Sequence, residues 1–213
     1  MLDILYEDGD LIFCIKKAGI ISEAGEGGMV ELLSKHTKST VYAVHRLDKG
    51  VGGLMVYAKS QKAAAVLSAQ IQNGCFVKEY LAITRGRPET ENGTLTDLLF
   101  HDRRANKSYV VAKKRAGVKE ARLDFDVKAS AETEKGALSL IHVRLHTGRT
   151  HQIRVQFSSR RLPLYGDGKY GGRSEKEGIA LWSHRIRLSL PSNGEKICIE
   201  AKPCGSPWSL FEI

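Results

Sequence analysis

Cysteine is scarce in this 213-residue chain, and the four present, Cys14, Cys75, Cys198 and Cys204, form no CxxC pair and no metal-ligand spacing with histidine. That excludes a zinc-ribbon reading and points to reduced thiols of a cytoplasmic protein rather than a disulfide framework. No apolar run is long enough to span a bilayer, so a membrane partner is not expected. The start of the chain is acidic (Asp3, Glu7, Asp8, Asp10) where a secretion signal would be basic and then apolar. There is no internal repeat, and the most polar stretch, Arg85 to Glu91, reads as a loop instead of a domain linker.

What the chain has in excess is positive charge. Thirty-three Lys and Arg stand against 24 Asp and Glu, a net charge of +9, which favours a polyanionic partner without proving one. The length fits one domain spanning 1–213, long enough for a substantial core. Short strands at Leu11–Ile15, Phe76–Thr84, Leu123–Val127 and Leu138–Leu140 interleave with helices at Met29–His36 and Ala63–Ile71, the latter N-capped by Ser60 and closed by Asn73-Gly74. Links between several strands are too short for parallel crossovers. The expected fold is therefore α/β (α+β), a central, mostly antiparallel mixed sheet flanked by helices.

Two segments carry chemistry. The first is His45-Arg46-Leu47-Asp48-Lys49-Gly50-Val51-Gly52-Gly53, set between apolar runs at Val41–Val44 and Leu54–Ala58 that read as an entering and a leaving strand. Three glycines in four positions let a ligand approach the bend at Asp48, which displays a nucleophile or base; the plainer alternative is a polar turn. The second is Thr147-Gly148-Arg149-Thr150-His151-Gln152-Ile153-Arg154-Val155, which leaves a strand and enters a helix with His151, Arg154 and Val155 on one face near its start. Arg149 and Arg154 offer planar forks for carboxylate or phosphate, while His151 alone reads more readily as a hydrogen-bonded structural residue than as a catalyst.

Together these segments resemble the RluA-type family of RNA pseudouridine synthases. His45-Arg46-Leu47-Asp48 with Gly53 and Ala58-Lys59 is similar to the family's HRLDxxTSGxxxxAK signature, and Lys78-Glu79-Tyr80-Leu81-Ala82 to its K-x-Y-x-A strand. Thr147 to Val155 resembles TGRTHQIRVH; Pro163, Gly166-Asp167 and Tyr170-Gly171 follow HPI-x-GD-x-x-YG, and Leu2 to Gly19 resembles the family's opening segment. Lys119-Glu120-Ala121 also resembles a family motif. In four places the chain departs from the pattern: Val51-Gly52 stands for Thr-Ser, Lys17 for proline, Gln156 for histidine and Leu162 for the histidine before Pro163. The small S4-type RNA-binding domain that many relatives carry in front is not expected here, so RNA contacts are expected from this domain's own surface or from a partner.

The resemblance implies isomerisation of specific uridines in structured rRNA or tRNA, with no cofactor and no metal, by a monomer. Asp48 is then the nucleophile, Tyr80 an aromatic face with a phenol able to relay the C5 proton, and Arg154 the guanidinium that keeps the aspartate ionised. Arg46 would fill the gap left by a flipped nucleotide, its alternative role being a surface salt bridge; Tyr80's alternative is a core aromatic. His45, Arg149, His151, Lys113 and Lys114 are the further RNA-binding candidates. Lys113 and Lys114 sit among eight Lys and Arg between Arg103 and Arg122, a run that reads equally as a solvated hairpin face. A catalytically silent RNA-binding relative acting as clamp or folding aid is the alternative function. A glycosyl-transferring enzyme is disfavoured because no second carboxylate is spaced to pair with Asp48. Restoring the family's Thr-Ser at Val51-Gly52 is expected to leave the product unchanged, alter the rate by less than about tenfold, and raise stability slightly.

Overall fold

The computed structural model describes residues 2–213. By its contacts the chain divides into two compact units: 1–79 with 182–203, and 80–181 with 204–213. The mixed, mostly antiparallel sheet architecture flanked by few helices is as expected.

In the first unit, β1 (Asp3–Glu7) and β2 (Leu11–Lys16) form a hairpin closed by Asp8, whose Oδ1 accepts the N–H groups of Asp10 and Leu11. β2 pairs antiparallel with β4 (Gly52–Ala58), and β10 (Leu181–Ser189) joins β4 in parallel through Trp182↔Gly52 and Ser183↔Gly53. β4 is buried along its whole length, as its unbroken apolar run requires. β11 (Lys196–Glu200) extends β10. Helix α1 (Met29–Thr37) buries Met29 and Leu33. Helix α2 (Gln61–Gln72) starts where Ser60 Oγ accepts the Ala63 N–H at 3.1 Å. Its Ala63 and Leu67 pack on Leu11, Phe13, Leu54 and Val56, with Ala64 and Ile71 only partly buried against that core. The expected strand Val41–Val44 shrinks to β3 (Tyr42–Ala43), because the chain leaves the sheet there to build the Asp48 bend.

The second unit carries the strand order β5-β9-β8-β6-β7: β5 (Val77–Arg85), β9 (Leu138–Leu145), β8 (Val118–Ala131), β6 (Asn92–Asp102) and β7 (Lys107–Val111). The sequence reading left β6 and β7 without strand assignments; they form a hairpin, with β6 paired over nine residues to β8. One face of this sheet is covered by α3 (Gln152–Ser158), with Phe125 edge-on to Phe157 and Leu99 and Ala121 against Val155 and Tyr170. Helix α3 begins two residues later than the start at Thr150 that the motif suggests, because His151 is its N-cap and takes a left-handed conformation at φ 56°.

Candidate active site

In the first unit the bend around Asp48 is fixed from both flanks. Ser22 Oγ accepts the Leu47 N–H at 3.0 Å and donates to the Leu47 carbonyl at 2.9 Å, and its own carbonyl takes the Tyr57 hydroxyl. On the other side the Lys49 carbonyl accepts the Gly19 N–H at 2.7 Å, and the Val51 N–H closes the turn on the Asp48 carbonyl. Lys16 completes the frame. Its side chain is fully buried, and its ammonium donates to the carbonyls of Lys17, Ile20 and Lys49 at 3.2, 2.8 and 3.3 Å. Burial pushes the Lys16 amine down to about 8, while the charge of Asp48 opposes that shift. An ammonium that ties the Asp48 loop to the β2 end and lends it positive potential is a positioning group the sequence reading missed.

Because Lys16 has a folded-state pKa below its unfolded value, the unfolded chain binds more protons between about pH 8 and the ordinary lysine range. Stability from this group is therefore fully present above that range and is lost as pH falls through about 8. Unfolding titrations should show wild type gaining stability relative to Lys16→Met from about pH 8 upward. Equal pH slopes for the two proteins would mean that Lys16 titrates like an exposed amine.

The glycines after Asp48 are set by contact. A Cβ on Gly53, which has φ of 122°, would fall on the backbone of Ser183 across the parallel pairing. On Gly52 it would lie 2.8 Å from the Trp182 ring, which is itself held by Nε1–H donating to the Ala201 carbonyl. This corrects the stability gain expected from the Thr-Ser replacement: the obstacle at Gly52 is space, not backbone angle. Gly52→Ser should lower stability by about 1–3 kcal/mol, the usual range for overpacking, and a denaturation midpoint at or above wild type would show that Trp182 moves aside freely.

His45 turns inward. Nε2 accepts the Val56 N–H at 3.1 Å, the ring stands edge-on to Phe76, and burial with the nearby Lys78 charge pushes its pKa down to about 3. It is a neutral member of the scaffold, so any contact it makes with RNA is not that of a cation. Arg46 points outward and lies 3.3 Å from Glu23, both more than half exposed, the surface ion pair that was its alternative reading.

In the second unit the motif around Arg154 is wired through side chains the sequence reading gave no role. Arg154 is buried and makes a bidentate pair with Asp167, Nε to Oδ2 at 2.7 Å and Nη2 to Oδ1 at 2.8 Å, with Asp167 fully buried. Its guanidinium lies 5.1 Å from the centroid of Tyr170. The Tyr170 hydroxyl accepts the Ser108 N–H at 2.7 Å, which leaves its one proton for His151 Nδ1 at 2.9 Å. Ser108 Oγ in turn donates to the Thr150 carbonyl. His151 is thus hydrogen-bonded within this unit. Gln152 organises the preceding turn, its Oε1 accepting from Thr147 Oγ1 and the Arg149 N–H while Nε2 donates to the Arg122 carbonyl. Tyr80, also in this unit, is buried on β5.

A family model described as RNA pseudouridylate synthase matches residues 10–159. The chain is 35% identical to YhcT of Bacillus subtilis, an uncharacterized RNA pseudouridine synthase, over 94% of this chain and 68% of that protein. The chain belongs to the RNA pseudouridylate synthase family. It is also 29% identical to a ribosomal large subunit pseudouridine synthase D of Borreliella burgdorferi, over 94% of this chain and 65% of that protein. Among the first relatives it spans roughly two thirds of their length, 68%, 65% and 63%. The solved human RNA Pseudouridylate Synthase Domain Containing 1 shares the fold, with a TM-score of 0.80 at 22% identity over 95% of this chain and 84% of that one.

Within this synthase the remaining candidates fall at the surface. Arg149 is half-buried, with Nε donating to the Glu120 carbonyl, and Lys113 and Lys114 are exposed in the bend between β7 and β8. Gln156 replaces the family's histidine and is fully buried, its Nε2 donating to Asp97 at 2.7 Å. The missed positioning residues are Lys16, Ser22, Asp167, Tyr170 and Gln152. Asp167 and Tyr170 did have a signal, since both lie in the Gly166-Asp167 and Tyr170-Gly171 matches, but nothing in sequence spacing tied them to Arg154. Among the described residues no helix is long and apolar enough to cross a membrane.

Proposed function

We propose that the chain isomerises specific uridines of structured RNA to pseudouridine, with Asp48 as the nucleophile and Tyr80 and Arg154 in the roles the family resemblance gives them. The reaction cleaves the bond from C1′ to N1, turns the uracil, joins C1′ to C5, and moves the C5 proton off as N1 gains one. Nothing is oxidised and no group is lost, so the proposal calls for no cofactor and no metal. An ionised carboxylate that attacks covalently divides this into easier steps.

The observation that carries the reading is the framing of Asp48: Ser22 on Leu47, and Gly19 and Lys16 on Lys49, hold the residue between them while its side chain stays partly exposed. A plain surface turn has no reason to bury a lysine beneath it. Ribosomal large-subunit RNA is the first substrate to test, because relatives such as that of Borreliella burgdorferi are named for it; tRNA is the second. A cytoplasmic monomer acting on RNA fits this proposal. Mapping pseudouridine across total RNA from cells with and without the protein tests it: a uridine modified only when the protein is present supports the enzyme. Unchanged maps together with RNA binding would favour the silent clamp.

A further inference from the structure

The sheet of the second unit treats its two faces differently. Leu99 and Ala121 point to the side packed against Val155 and Tyr170. The register Leu98↔Val111 and Phe100↔Tyr109 puts four apolar side chains on the opposite side. There Tyr109 is 42% exposed, and Leu98, Phe100 and Val111 are only partly buried. An antiparallel sheet with one wet face ordinarily places polar residues there. Two adjacent cross-strand apolar pairs at that position break the pattern.

Cations surround the pairs. The Arg115 guanidinium lies 5.0 Å from the Phe100 centroid, and the Lys107 ammonium 5.8 Å from that of Tyr109. Lys113 and Lys114 occupy the exposed bend beside them. The opposing charges near this face are Asp102, whose Oδ1 accepts the N–H groups of Arg104 and Ala105, and Glu120, opposite Leu98, two carboxylates against the four cations. Open aromatic rings bordered by guanidinium and ammonium groups match a polyanion with planar faces. Unpaired bases expose such faces, whereas a duplex stacks them out of reach.

We propose that this outer face of β6 and β7 binds a single-stranded segment of the RNA substrate, with bases stacked on Tyr109 and Phe100 and phosphates on Lys107, Arg115, Lys113 and Lys114. The inference rests on the RNA reading above and adds the form of RNA and the surface that receives it. A second copy of the chain is the competing occupant, and the net charge of +9 argues against it, since like surfaces would repel.

The test uses the full chain and an oligouridylate of about ten nucleotides, free or annealed to its complement. Tyr109→Ala should weaken binding of the free strand by about fivefold or more, the range of one lost base stack, while Tyr109→Phe binds as wild type. Affinity of the Ala variant should keep the wild-type dependence on salt. Lys113→Ala with Lys114→Ala should instead flatten that dependence, because fewer counterions are released. Photo-crosslinking of a bromouridine-substituted strand should map to Tyr109 or Phe100. Wild-type affinity in Tyr109→Ala, preference for the duplex, crosslinks confined elsewhere, or a dimer that Tyr109→Ala dissociates would each overturn the proposal. A protein that modifies no uridine yet loses oligouridylate binding in Tyr109→Ala would instead defeat the enzymatic reading alone.

Discussion

Asp48→Asn should fold like the parent, bind RNA with unchanged affinity and form no pseudouridine. The amide has nearly the shape of the carboxylate, and the bend that holds it is built from the Leu47, Asp48 and Lys49 backbone, Ser22 Oγ and the Lys16 ammonium. None of those contacts needs a charge at residue 48. What is removed is the nucleophile, and loss of a covalent nucleophile has cost about 10⁶-fold in a protease where it has been measured. A drop of about 10⁴-fold or more is expected here, read as tritium released from RNA labelled at C5 of uridine. The same change removes the anion that raises the Lys16 pKa, so that amine should titrate lower in the variant than in wild type. A fall in activity with RNA binding and fold lost as well would point to a structural aspartate, and retained turnover would end the nucleophile assignment.

The division between what was legible and what was not follows the range of the interactions. Local signals were reliable: the Ser60 cap, the alternation in β8 and the uninterrupted apolar β4 all set structure within a few residues of themselves. The Asp48 bend was visible because glycine and aspartate cluster in sequence. Its frame was not, because Lys16 and Ser22 lie 32 and 26 residues upstream of Asp48 and a buried lysine carries no signature distinguishing it from Lys17 beside it. The same holds at Arg154, where the sequence supplied a cation with a planar fork but not the carboxylate 13 residues later that fills the fork. Gly52 shows a third kind of gap. Its freedom looked conformational from the sequence, and only the ring of Trp182, 130 residues away and paired to it across β4 and β10, shows that the missing side chain is a matter of room. His45 was named only as an RNA-binding candidate beside Arg46; its partners, Val56 and Phe76, make it an acceptor in the scaffold.

Asp167→Ala should be the most destabilising single change in the second unit. It leaves the Arg154 guanidinium, 5% exposed, without a carboxylate that meets it through two hydrogen bonds. Removing one partner of a buried ion pair costs about 3–5 kcal/mol, and Asp167 supplies two of the charge-assisted hydrogen bonds that Arg154 makes. Against a total stability of about 5–15 kcal/mol for an ordinary domain, that is a large share. Replacing both partners, Arg154→Met with Asp167→Leu, should cost less than Asp167→Ala alone, since the buried guanidinium is removed together with the carboxylate that met it. Arg154→Lys should fold, because the positive charge against Asp167 survives, yet lose most activity: an ammonium cannot make the paired bonds by which the guanidinium is held on Asp167 beside Tyr170. Urea denaturation of the four proteins together with pseudouridine assays separates the claims. A double variant less stable than Asp167→Ala would show that Asp167 holds the turn before Tyr170 by itself, and a fully active Arg154→Lys would show that the site needs only a charge there and not the geometry of the fork.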